Sequence, residues 1–172
     1  MNKLISIVLI SLLFWSCNNF KEQISQSFFD FDEVIHYSLE ESAFSEIMKK
    51  TSSENNDNKL AENVVMENYP KDLTNFNLET ELIELKYSNS IIDKSKHNKI
   101  NSLFSESDCY DDVLAACAPY FRDVLIFKKR NQVIGVAKIC FECDKSYIIG
   151  TEKRTDNFGE CGKYDQLYEL VK

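Results

Sequence analysis

Apolar positions along the chain follow two different periods. In the first two thirds they recur mostly at helical spacing, and in the last third they form short β-branched runs. Leu39, Ala43, Phe44, Ile47 and Met48 share one helix face, which predicts an amphipathic helix over 39–50. A polar loop follows at 51–58. Leu60, Ala61, Val64 and Val65 predict a short second helix that ends before Tyr69-Pro70, because proline disfavours helix in the residue before it. Residues 78–92 fit either period through Leu82, Ile83 and Leu85. Ser95 is positioned to cap a third helix with Ile100, Leu103 and Phe104 on its inner side. Tyr110, Val113, Leu114 and Cys117 predict a further turn of helix over 107–117, stopped by Pro119.

Beyond Pro119 the pattern changes to strands. Residues 123–129 (DVLIFKK), 133–143 (VIGVAKICFEC) and 146–151 (SYIIGT) are rich in β-branched and aromatic side chains, and Arg130-Asn131-Gln132 forms a turn between the first two. Consecutive strands with short links pair as an antiparallel meander. With Arg130 and Asn131 at the turn centre, Phe127 opposes Ile134 and Asp123 opposes Lys138. Tyr164, Leu167, Tyr168 and Val171 then share one face of a closing helix. The aromatic segment 28–38 (FFDFDEVIHYS) reads as a first ordered segment with strand character. The expected fold is therefore α+β: N-terminal helices packed on a small antiparallel three-stranded sheet, with a closing C-terminal helix.

Composition narrows the function classes. The 172 residues are 44% hydrophobic and 28% charged, with four Gly and two Pro, which is enough apolar surface for one core and excludes collagen-like or wholly disordered chains. Twenty Lys and Arg stand against 28 Asp and Glu, a net charge of −8. That sign opposes phosphate neutralisation, so nucleic acid is not an expected partner.

The first twenty residues, MNKLISIVLISLLFWSCNNF, read as an address. Lys3 precedes an uncharged, largely apolar run from Leu4 to Trp15, shorter than the roughly 20 residues a membrane-spanning helix needs but suited to a secretory leader. Ser16-Cys17 directly after that run resembles the lipobox of bacterial lipoproteins, although Phe14 and Trp15 depart from the residues usual there. The resemblance implies cleavage between Ser16 and Cys17 and lipid attachment to Cys17. Two or three acyl chains, at about 0.8 kcal/mol per buried methylene, hold a protein stably on a membrane. The expected organisation is a leader at 1–16, a tether at 17–27 and a single domain at 28–172. Losing Lys3 with the leader moves the net charge from −8 to −9.

Six cysteines less Cys17 leave Cys109, Cys117, Cys140, Cys143 and Cys161. An exported chain forms disulfides, so this odd set allows at most two bridges and leaves one thiol over. Cys140-Phe141-Glu142-Cys143 has the spacing of a redox dithiol or half a zinc site. Its strand context supports a structural disulfide instead, since positions three apart on a strand face opposite sides. Cys117 reaches the height of Cys143 in the meander but shares the parity of Cys140, so either is a candidate partner. Cys117, Cys140 and Cys143 are thus the candidate disulfide or thiol cluster, with no cofactor required and zinc as the alternative.

Segments Cys117-Ala118-Pro119, 122–127 (RDVLIF) and 139–143 (ICFEC) resemble small uncharacterised proteins of flavobacteria and related Bacteroidetes. That resemblance spans roughly residues 117–172 and implies no activity. The chain carries none of the metalloprotease, nucleophile-elbow, P-loop or dinucleotide-binding patterns. His36 sits in an aromatic segment and reads as a packing residue, and His97 as a solvated helix residue. Arg122, one of three arginines, is a candidate anion site or an ion-pair partner for Asp123 or Glu142. The expected role is a non-enzymatic binding lipoprotein on the periplasmic face or cell surface. Its membrane contact is the lipid, a basic protein is its candidate partner, and one alternative is an inhibitor or immunity protein against a basic envelope hydrolase or toxin. A thiol-redox or zinc protein is the other alternative.

Overall fold

A computed structural model describes residues 26–51, 59–74, 77–109 and 117–172. Its centre is a five-stranded antiparallel sheet rather than the three-stranded one expected. The strands are β1 (Glu33–Ser38), β2 (Ser88–Ile91), β3 (Asp123–Lys129), β4 (Gln132–Cys140) and β5 (Lys145–Ile149), in spatial order β2-β1-β3-β4-β5. The meander β3-β4-β5 forms as expected, but β1 pairs along the whole of β3, Val34 opposite Phe127 and Ser38 opposite Asp123. β2 then covers the far edge of β1. The physical reason is that β3 is buried from Asp123 to Phe127 and requires a backbone partner on both sides. β1 meets that need because Val34, Ile35, His36 and Tyr37 are all buried, the pattern of an inner strand. The strand β2, SNSI, is exposed throughout and lacks the apolar alternation that would have marked it.

Five α-helices are present among the described residues: α1 (Glu41–Thr51), α2 (Lys59–Met66), α3 (Leu78–Glu84), α4 (His97–Leu103) and α5 (Lys163–Val171). They form a layer on each face of the sheet. Ile47 of α1, Ala61, Val64 and Val65 of α2, and Leu78 and Leu82 of α3 pack on Ile35, Tyr37, Val124 and Ile126. On the other face Ile100 and Leu103 of α4 and Tyr164 and Leu167 of α5 pack on Val34, Leu125, Phe127, Ala137 and Ile139. Phe127 anchors that second core, its ring 4.4 Å from Phe29 and 4.8 Å from Phe104 between centroids. Such aromatic pairs add about 0.5–1.5 kcal/mol each beyond the area they bury.

Local details differ from the sequence reading in several places. The β3–β4 turn has Arg130 and Asn131 at φ 51° and 64°, the two left-handed positions of a tight hairpin. A bulge between Phe127 and Lys128 shifts the pairing by one, so Phe127 opposes Gly135 and Asp123 opposes Ile139. Helix α4 is preceded by a 3₁₀ turn at Lys94–Lys96 capped by Asp93, whose side chain accepts a 2.7 Å hydrogen bond from the Ser95 N–H; Ser95 itself is not the cap. Of the helical turn expected over 107–117, residues 107–109 are irregular and 110–116 lie outside the described residues, as do Ser16 and Cys17. Gln26 and Ser27, the last two residues assigned to the tether, bond to the fold. Gln26 accepts from the Glu106 N–H, and Ser27 bridges Ser105.

Candidate functional site

Cys117, Cys140, Cys143 and Arg122 converge at one end of the sheet, where β1 and β4 finish and β3 and β5 begin. Cys117 and Cys143 form a disulfide there, Cα atoms 5.8 Å apart, and Cys109–Cys161 forms a second at 6.3 Å. Strand height rather than parity decides the partner of Cys117, because β4 ends at Cys140 and Cys143 lies in the turn beyond it. Cys140 is free and buried against Phe121 and Cys143. Burial pushes its thiol above the ordinary value, and Glu142 Oε2 lies 3.6 Å from its sulfur. A buried thiol held protonated is a poor nucleophile. Among the described residues no group of three or more His, Cys, Asp or Glu side chains is arranged to hold a metal ion.

Arg122 enters β3 and projects to the side opposite Asp123. Its Nη1 donates to Glu41 at 2.7 Å and to Glu142 at 3.2 Å, and its Nε donates to the Leu39 carbonyl at 3.3 Å. The guanidinium also lies 5.2 Å from the centroid of the Phe44 ring. Through these contacts Arg122 joins the start of α1 to the β4–β5 turn.

Asp123 belongs to a second cluster that the sequence did not reveal. His36 and Lys172 each place a nitrogen 2.7 Å from Asp123 Oδ1, and Lys172 also donates to Ser38 Oγ at 3.0 Å. Burial works against the charge on Asp123, but the bonds from His36 and Lys172 override it and hold the carboxyl below its ordinary value. The cluster follows from β1–β3 register, since side chains at His36, Ser38 and Asp123 share one sheet face. Without that pairing His36 looked like a packing residue.

Lys138, on the opposite face of β4, is fully buried. Its Nζ donates to the carbonyls of Glu67 at 2.6 Å and Asn63 at 3.4 Å, and stands 4.6 Å from the Phe121 ring centroid. These carbonyls belong to the C-terminal end of α2, where a cation is favourable. Burial still dominates and pulls the ammonium down to about 7.

Beside this end of the sheet an open cleft of about 350 Å³ lies between the β4–β5 turn and α5, lined by Phe141, Glu142, Asp144, Tyr164, Asp165 and Tyr168. Phe141 and Tyr168 meet edge to face at 5.2 Å. The Tyr164 ring rests on Gly159, where a Cβ would come within 1.8 Å of it, and at φ 92° only glycine sits there without strain. Burial and the adjacent carboxylates push the Tyr164 hydroxyl up to about 12. Asp144 is likewise raised, by burial first and then by the charge of Asp165. Tyr168, expected on the buried face of its helix, is 49% exposed and forms one wall of this cleft. The chain matches no protein-family model, no curated protein and no solved structure.

Proposed function

We propose that the protein is an exported lipoprotein, anchored through Cys17, that binds a basic protein partner at the acidic end of its sheet and carries out no catalysis. The observation that carries this reading is the cleft itself, in which Glu142, Asp144 and Asp165 gather at an open mouth between aromatic walls. Two disulfides agree with an oxidising compartment, and among the described residues no helix is long and apolar enough to cross a membrane. The pairing of Cys117 with Cys143 and the burial of Cys140 weigh against the thiol-redox and zinc readings. A cationic envelope hydrolase or toxin fits the charge of the mouth, and long-range attraction would speed its encounter.

The anchor is tested by mass spectrometry of the mature N-terminus, with a diacylglyceryl group on Cys17 expected and none in Cys17→Ala. The binding role is tested by capturing cationic envelope proteins on the full-length protein at low and high salt, then titrating each captured protein back. Saturable, salt-weakened binding of one basic protein is expected. Binding that never saturates, or that is indifferent to salt, contradicts the reading.

A further inference from the structure

We infer that the cleft formed by Phe141, Tyr164 and Tyr168 with Asp144 and Asp165 is a receptor for a lysine side chain of the basic partner, an inference that rests on the function proposed above. Three aromatic rings and three carboxylates line the cleft, and no basic side chain does. A second cleft, at the other end of the sheet, sets Lys94 and Arg130 against Asp32 and Glu33. Its charges are balanced from within.

Glu41, Glu46, Glu79, Asp123 and Glu142 each have a cationic nitrogen within 4.0 Å. Among the described residues Asp144 and Asp165 have none within that distance, and burial and then the charge of Asp165 raise the Asp144 carboxyl while that of Lys145 lowers it. An incoming cation would offset the charge of Asp165. It would also face rings whose electron-rich faces attract ammonium and guanidinium groups.

The cation that fits is organic. Half of the cleft's six lining residues are aromatic, which suits a cation carried on an apolar stem. A lysine side chain supplies an aliphatic stem for the rings and an ammonium for Asp144 and Asp165. The walls are already in place to receive it. Phe158 meets the Tyr164 ring edge to face at 5.6 Å, Gly159 lets that ring lie flat on the backbone, and Phe141 fixes Tyr168.

Calorimetric titration of the full-length protein in neutral detergent micelles tests this, with hexalysine as probe and butylammonium as the isolated side chain. Wild type is expected to bind both, hexalysine more tightly. Asp165→Asn and Tyr168→Leu are each expected to lower hexalysine affinity about tenfold, whereas Glu152→Gln, which removes an exposed carboxylate outside the cleft, changes it by less than about twofold. Unfolding midpoints equal to wild type confirm intact variants. If Asp165→Asn and Tyr168→Leu act no more strongly than Glu152→Gln, the cleft is not the receptor and diffuse attraction by the acidic face remains. If wild type binds hexalysine but not butylammonium, the cleft does not recognise the side chain by itself and the inference fails. If wild type binds neither probe, the inference and the proposed function fall together.

Discussion

Lys138 donates from the last residues of strand β4 to the main-chain carbonyl of Glu67, 2.6 Å away, so that a strand lysine closes the C-terminal end of helix α2. The contact places a cation where a helix end favours it, yet burial wins and draws the ammonium from 10.5 down to about 7. Between those values the unfolded chain holds a proton that the folded chain has released, so stability rises with pH across that window and the dependence vanishes below it. Lys138→Met abolishes this dependence. Relative to wild type, the variant is expected to lose about 1.4 kcal/mol per pH unit between about pH 7 and pH 10. Urea unfolding of both proteins across that range checks it. Tyr37, Tyr69 and Tyr164, raised to about 12, lower the stability of both proteins alike above pH 10 and cancel in the difference. A pH-independent difference would show that Lys138 is charged in the fold throughout.

Asp123 produces the opposite limb. Its carboxyl is held below the ordinary 3.8 by His36 and Lys172, so below that value the unfolded chain takes up a proton first and stability falls as the pH drops further. Asp123→Asn leaves His36 and Lys172 facing an uncharged amide in a buried site. The expected cost at neutral pH is about 3 kcal/mol, shrinking as acid neutralises the wild-type carboxylate. Denaturant unfolding at neutral pH and near pH 3 checks both parts.

The cysteine assignment is chemically explicit. Peptide mapping without reduction is expected to recover Cys109 linked to Cys161 and Cys117 linked to Cys143, with Cys140 alkylated only after denaturation. The bridges span 52 and 26 residues, and loop entropy then assigns about 4 and about 3.5 kcal/mol to Cys161→Ser and Cys143→Ser. Rapid alkylation of Cys140 in the folded protein would contradict its burial.

Gly135 is a packing requirement. A Cβ there would lie 2.2 Å from the Phe29 ring, which is itself wedged against Phe127. Gly135→Ala is expected to cost about 2 kcal/mol and lower the melting temperature by about 4–8 °C. Adding Phe29→Leu should recover part of that loss, because the two changes share one space. Strictly additive costs would place the clash elsewhere.

Much of the fold was legible where periodicity and burial coincide. Helices α1, α2 and α5 and the strands of the meander follow from apolar spacing within their own segments. The sheet's true width was not legible, because β1 and β3 are about ninety residues apart in sequence and their pairing is set by tertiary contact. Register slipped by one for a local reason, a bulge that leaves Ile134 without an opposite residue. The candidate site divides along the same line. Cys117 and Cys143 were brought to one height by the meander alone, so their proximity was readable. His36 with Asp123, Lys138 with α2, and Tyr168 with Phe141 each join separate elements. Their spacing carried no signal of those meetings.

A cation bound in the cleft lies against the rings of Tyr164 and Tyr168. Proton–carbon NMR of those two rings in the full-length protein, titrated with hexalysine, tests it most directly. Saturable shifts of the Tyr164, Tyr168 and Phe141 ring signals, reversed by salt, are predicted. Shifts confined to residues outside the cleft, or ring signals that stay still while hexalysine binds, would contradict it.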